Sequence, residues 1–133
     1  MASIRKEILI DVPVNEVWAA ISDFGAVQER AARGFVLATQ LVGDTRILTF
    51  AGDLVVREKL VDVDHAAHRI SYAATAGRIV HHNASQQVFH EGPGRSRVVW
   101  ITDVIPDELS EIFERMLAHG AVAMKETIEA ASG

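Results

Sequence analysis

Breaks at "VGDT", "FAGDL", "DHAAH", "TAGR" and "EGPGR" cut residues 35–106 into short segments of alternating apolar and polar side chains. No other feature of the chain restricts its fold so tightly. Each break reads as a turn between antiparallel strands, and a turn centre dictates which residues face each other across the pair. A hairpin centred on Gly52 pairs Phe50 with Leu54, Leu48 with Val56 and Arg46 with Glu58. Another, centred on Pro93, pairs Val88 with Val98, Gln86 with Trp100 and Ala84 with Thr102. A turn at Gly43 and Asp44 sets Leu41 against Arg46 and Thr39 against Leu48. Loops centred near Ala66 and Arg78 place Leu60 and Ala84 opposite Tyr72, and Glu58 and His82 opposite Ala74.

Side chains alternate along a strand, so these pairings select a single shared face. Phe35, Leu37, Leu41, Leu48, Phe50, Leu54, Val56, Leu60, Ile70, Tyr72, Val88, Val98, Trp100 and Val104 fall on it. Arg57, Lys59, Ser71, Asn83, Ser85 and Gln87 fall on the other, which should meet water. The apolar face also receives Arg46, Glu58, His82 and Gln86. A purely structural core would not hold them without partners, because burying unpaired polar groups is costly.

The flanks complete the pattern. A strand is expected over 3–11, then a helix opened by Pro13 with Val14, Val17, Trp18, Ile21 and Phe24 on one side. A short second helix fits "AVQERAAR". From about 107 to about 130, Leu109, Ile112, Phe113, Met116, Leu117, Gly120, Met124 and Ile128 recur at helical spacing, with Asp107 able to cap the start. Strand, helices, many strands and a final helix make an α+β fold. At 133 residues it is one domain, 1–133, and burying the long stripe requires the sheet to curve around it.

Composition narrows the function. A net charge of −5 argues against nucleic acid as a partner. No run is long enough for a membrane span and no signal-peptide core is evident, so the cytoplasm is the expected compartment. With no cysteine, thiol nucleophiles and thiolate metal sites are excluded. No metal site is expected from histidine either. His81 and His82 point to opposite faces of a strand, and His82 and His90 lie about 26 Å apart at ~3.3 Å per residue. The "DVDHAAH" loop, with His65 and His68, reads as a solvated turn.

The segments "IDVPVNEVWAAISDFG", "VVREKLVDVDHAAHRISY" and "RSRVVWITDV", followed by the apolar C-terminal helix, resemble the START-like, helix-grip (SRPBCC) superfamily. The resemblance is to its polyketide cyclase/dehydrase and lipid transport branch. It implies a helix-grip fold: a seven-stranded curved antiparallel sheet wrapped around a long C-terminal helix, with two short helices after the first strand. It also implies a cavity between sheet and helix for a small hydrophobic or amphipathic molecule; no cofactor is expected. The chain departs from many relatives at "AVQERAARG", where a Trp and often a Pro follow the first helix. It departs again at His82 and Gln86, where many carry an aromatic residue and a leucine; the pocket should be more polar for it.

Two readings of the site stand side by side. Arg46 and Glu58 form either a structural ion pair or an anchor for a ligand oxygen, with Glu58 a candidate base. His82 is either a hydrogen-bonded core histidine or a general acid/base. Tyr72, Gln86, Trp100, Thr102, Met116 and Met124 are core residues that would also line a ligand cavity. The leading expectation is binding of a hydrophobic or aromatic small molecule; the alternative is a polyketide cyclase/dehydratase-type enzyme working through His82 or Glu58. A partner-binding module, using Val99 and Ile101 on the outer face, is a third, and a homodimer stays open.

Overall fold

A computed structural model describes residues 2–132. Strand β1 (Ala2–Ile10) leads into α1 (Val14–Ser22), a 3-10 turn (Phe24–Ala26) and α2 (Val27–Arg30). Six strands follow: β2 (Val36–Val42), β3 (Thr45–Phe50), β4 (Val55–Asp64), β5 (Arg69–Thr75), β6 (His81–Gly92) and β7 (Arg95–Ile105). A second 3-10 turn (Asp107–Leu109) precedes α3 (Ser110–Ser132). The seven strands form one antiparallel sheet in the order β1-β7-β6-β5-β4-β3-β2. This is the expected α+β helix-grip architecture.

Every pairing deduced from the turns around Gly43, Gly52, Ala66 and Pro93 is present, including Arg46 with Glu58 and Gln86 with Trp100. At the tip of β3–β4, Gly52 and Asp53 both adopt positive φ, +82° and +62°. Two consecutive left-handed residues reverse the chain tightly and hold the hairpin in register. The fifth turn, near Arg78, differs in its last step. The β5–β6 ladder runs from Arg69 with Gln87 to Tyr72 with Ala84. At the next inward pair the His82 imidazole, not its backbone, meets the Ala74 amide.

Four expectations are corrected. Leu37 is 49% exposed and Val36 only 2%, because a bulge between Val36 and Ala38 shifts the register by one residue. Ile112, assigned to the buried stripe, is 41% exposed. The α-helix starts at Ser110, with Asp107 one turn earlier in the 3-10 segment. The DHAAH loop is not merely solvated: Trp18 Nε1 donates to His65 Nδ1 at 3.2 Å, and both His65 and His68 lie against the Trp18 ring.

The outer face is polar and cross-linked. Val99 is buried there and Ile101 half-buried, flanked in register by Glu7 and Arg5. Arg97 bonds both Glu7 and Glu91 on the same face, so the apolar patch proposed for a partner is covered within the monomer. Behind His82 a run of hydrogen bonds crosses three strands. His81 Nε2 pairs with Asn83 Oδ1 (2.8 Å), Asn83 Nδ2 donates to Asp103 Oδ2 (2.9 Å), and Ser3 Oγ donates to Asp103 Oδ1 (2.6 Å).

The interior divides into two apolar groups. The larger packs α1 and the C-terminal half of α3 onto the sheet through Ile10, Val17, Ile21, Ile70, Val88, Val98, Met124 and Ile128. The smaller gathers Ala32, Val36, Leu48, Phe50, Val56 and Ala74, with Phe35, Ile79 and Met116 only partly buried against it.

Candidate functional site

The polar residues that the turns sent inward meet where these two groups join. Arg46 and Glu58, both buried, face each other across β3 and β4. Arg46 Nε and Nη2 both donate to Glu58 Oε1, at 2.8 and 2.7 Å. Arg46 Nη1 reaches the Phe24 carbonyl at 3.3 Å, and the guanidinium lies between the rings of Phe24 (4.1 Å) and Tyr72 (5.0 Å). All three nitrogens of that guanidinium thus have partners within the protein. Glu58 Oε2 has no donor among the described residues, and Glu58 borders every interior space described below.

Tyr72 sits beside this pair. Its hydroxyl accepts a hydrogen bond from Trp100 Nε1 at 3.0 Å, which leaves its own proton to donate. Burial, reinforced by the Glu58 charge, pushes the phenol well above its ordinary range, so it stays protonated. Trp100 approaches α3 so closely that a Cβ at Gly120 would come within 2.8 Å of its ring and 3.2 Å of Phe35. Only glycine lets the indole approach the helix this closely.

His82 completes the group. Its Nδ1 accepts the Ala74 amide at 2.9 Å, and its ring lies 6.2 Å from Tyr72 and 5.5 Å from Phe113, centre to centre. Accepting at Nδ1 fixes the neutral tautomer with the proton on Nε2. Burial lowers the His82 pKa; the Glu58 charge opposes this and His81 adds to it. A proton added at Nδ1 would also face the Ala74 N–H, donor against donor. The ring is therefore a neutral donor through Nε2.

Three spaces surround these groups. An apolar cleft of about 300 Å³ opens between the β3–β4 tip (Phe50, Leu54, Val56), the β5–β6 turn (Ala76, Arg78, Ile79) and α3 (Leu109, Ile112, Phe113, Met116), with Glu58 and His82 at its inner wall. Behind it, a chamber of about 50 Å³ is bounded by Tyr72, His82, Trp100, Thr102 and Met116. Deeper still, about 60 Å³ lies among Arg46, Tyr72, Gln86, Trp100, Gly120 and Met124. Trp100, seated on Gly120, is a common wall of the two inner spaces. The single pocket expected for Tyr72, His82, Gln86, Trp100, Met116 and Met124 is thus partitioned: Gln86 and Met124 are separated from His82.

Of the cleft's lining, Glu58, His82 and Met116 are expected site residues; Leu54, Ile79, Ile112 and Phe113 are not. Leu54 is sent inward by the Gly52 hairpin, whereas the only sequence signal of Ile79 is an apolar residue in a turn, where polar ones are usual. Among the described residues no group of His, Asp or Glu is arranged to hold a metal, and no helix is long and apolar enough to cross a membrane.

A curved antiparallel sheet gripping one long helix, with polar groups enclosed between them, defines a START-like helix-grip protein. Within that class the chain belongs to the polyketide cyclase/dehydrase and lipid transport family, which it matches over residues 1–130. No curated protein matches it. Among solved structures it is similar to the protein XoxI from Bacillus cereus (TM-score 0.87, 17% identity, 100% of this chain and 99% of that one). It also resembles a Thalictrum flavum norcoclaurine synthase point mutant in complex with a transition-state analogue (0.75, 16%, 99% and 96%). A third likeness is to BexL, a di-domain ARO/CYC protein of the BE-7585A biosynthetic pathway (0.85, 14%, 100% of this chain and 48% of that one). At these identities the likeness is one of fold.

Proposed function

We propose that the protein binds a small, largely apolar molecule in the cleft beneath the N-terminal half of α3, its oxygen-bearing end turned toward Glu58, Tyr72 and His82. The observation that carries this reading is the cleft itself. An apolar opening of about 300 Å³ reaches the lower range of small-molecule sites; its inner wall offers one donor, His82, and one acceptor, Glu58, and Tyr72 adds a second donor in the chamber behind. His82 Nε2–H and the Tyr72 hydroxyl suit a carbonyl or phenolate oxygen; Glu58 Oε2 suits a hydroxyl. Arg46 supports the site by holding Glu58 in place. Native mass spectrometry of the purified protein and calorimetric titration with 2-naphthol, an aromatic bearing one hydroxyl, test the reading. Binding should be lost in Ile112→Glu, which puts a charge at the mouth on a side chain already exposed. Equal affinity in wild type and Ile112→Glu, or none in either with no co-purified ligand, would sink it.

The fixed His82 tautomer favours a second reading, that of a catalyst. In it Glu58 Oε2 takes a proton from the carbon beside a ligand carbonyl, and His82 Nε2–H stabilises the oxygen as negative charge develops. His82, its lone pair occupied by the Ala74 amide, would act as donor and Glu58 as base. The matched test is product formation, followed by chromatography on a poly-β-keto substrate. His82→Ala should lower turnover by about 10²–10⁴ with little change in affinity. If only affinity moves, the protein is a binder. Neither reading invokes a cofactor.

A further inference from the structure

We infer that the free edge of β2 pairs with β2 of a second copy of this chain, extending the sheet across a two-fold axis at Thr39. The two edges of the open sheet are managed differently. At β1, side chains of α3 occupy the edge: Lys125 Nζ donates to the Leu9 carbonyl (2.8 Å), Glu129 Oε2 accepts from the Asp11 amide (2.8 Å), and Lys6 pairs with Glu114. Two backbone groups at its C-terminal end are thus taken, and the charged side chains along it discourage strand addition.

At β2 nothing comparable is present. No side chain among the described residues bonds its backbone, its sequence VLATQLV holds no charge, and Leu37, Leu41 and Val42 are 49, 52 and 55% exposed. Val42 pairs with Thr45 across the two-residue turn, so Val42, Gln40 and Ala38 direct their amides and carbonyls to β3. By alternation Thr39 and Leu41 direct theirs outward.

What selects a second copy as the occupant is self-complementarity. An antiparallel pair centred on Thr39 sets Thr39 against Thr39, Leu37 against Leu41, Ala38 against Gln40 and Val36 against Val42. The backbone groups left outward at Thr39 then meet their own kind in hydrogen-bonding phase. Thr39 Oγ1, shut off from solvent, also has no hydrogen-bond partner among the described residues. On the axis, a change of rotamer brings it to the same hydroxyl of the copy, and cross-strand Thr pairs are favourable. Charge agrees as well. Arg33 bridges to Val36 and its exposed guanidinium makes no ion pair among the described residues. The register brings that end of β2 to Val42 and the Asp44 turn of the copy, so Arg33 and Asp44 face each other twice. A strand of seven residues is about 23 Å long at ~3.3 Å per residue. The interface therefore belongs to the small class, and its affinity should be micromolar.

Sedimentation velocity of the whole protein from about 5 µM to about 500 µM brackets such a constant. Wild type should pass from monomer to dimer across this range. Leu37→Lys or Leu41→Lys, each on an exposed side chain, should weaken the dimer at least about tenfold with unchanged thermal melting at low concentration. Arg33→Asp should weaken it too, and the double variant Arg33→Asp with Asp44→Arg should restore it. A wild type that stays monomeric throughout overturns the inference and leaves the edge to a strand of another protein. A dimer indifferent to both lysine variants overturns it as well, by placing the interface elsewhere.

Discussion

The two halves of α3 carry the same kind of apolar stripe and do different things with it. From Leu117 onward the helix buries Gly120, Ala123, Met124, Thr127 and Ile128 against α1 and the sheet. Before Leu117 the stripe is only half covered, with Phe113 and Met116 partly exposed and Ile112 largely so. The first half lies over the β3–β4 tip and the β5–β6 turn, whereas the second half packs into the apolar group formed with β1, β6 and β7. A uniform helical pattern thus fastens the fold at one end and roofs a cleft at the other. Periodicity identifies the buried face of a helix; only the extent of the partner sheet decides how much of that face is spare.

The sharpest test of this division lies at its boundary. Glu58→Ala leaves Arg46 buried without its carboxylate and should cost about 3–5 kcal/mol, read by urea unfolding. Replacing both residues by apolar ones of similar size should cost less. A surface-like loss below about 1 kcal/mol would mean that the pair is hydrated and the two halves are not separated there.

Within the helix, truncation should separate the halves directly. Leu117→Ala should lose about 2–5 kcal/mol, as buried leucines do, while Ile112→Ala should stay near 0.5 kcal/mol, as exposed positions do. Similar losses from thermal or urea unfolding would erase the contrast.

A smaller effect belongs to His82. Burial holds its folded pKa below the ordinary 6.5, so the unfolded chain takes up the proton first. The stability due to the neutral ring is complete above about pH 6.5 and declines as pH falls toward the folded value. Comparing wild type with His82→Gln between pH 7.5 and pH 4.5 isolates it: the variant should lose stability less steeply below about pH 6.5. Parallel curves would mean that the imidazole is not shielded where the halves meet.

Much of this was legible in the chain. Glycine-marked turns announce themselves, and once placed they dictate register, which is why Arg46, Glu58, His82 and Gln86 could all be sent inward without coordinates. What was not legible depends on contacts between distant segments. That Val36 and not Leu37 turns inward follows from a bulge that no residue type marks. The Trp18 contacts with His65 and His68 join positions far apart in sequence. The partition of the interior by Trp100 depends on how closely its ring can approach Gly120, which alternation does not encode. Likewise, a histidine opposite Ala74 could be deduced, but not that its ring would replace the backbone as acceptor.

The hydrogen-bond chain from Ser3 through Asp103 and Asn83 to His81 bears on how a guest would enter. It ties β1, β7 and β6 together on the convex side, directly behind the strand that carries His82. The opposing wall of the cleft consists of the β3–β4 tip and the β5–β6 turn, which no comparable chain crosses among the described residues. The cleft is thus a vice with one fixed jaw and one sprung jaw. Loop tips of this kind commonly move on nanosecond to microsecond timescales, so under the proposed binding the ordering cost of capture would fall on them, and the imidazole would keep its aim while the mouth adjusted to a guest.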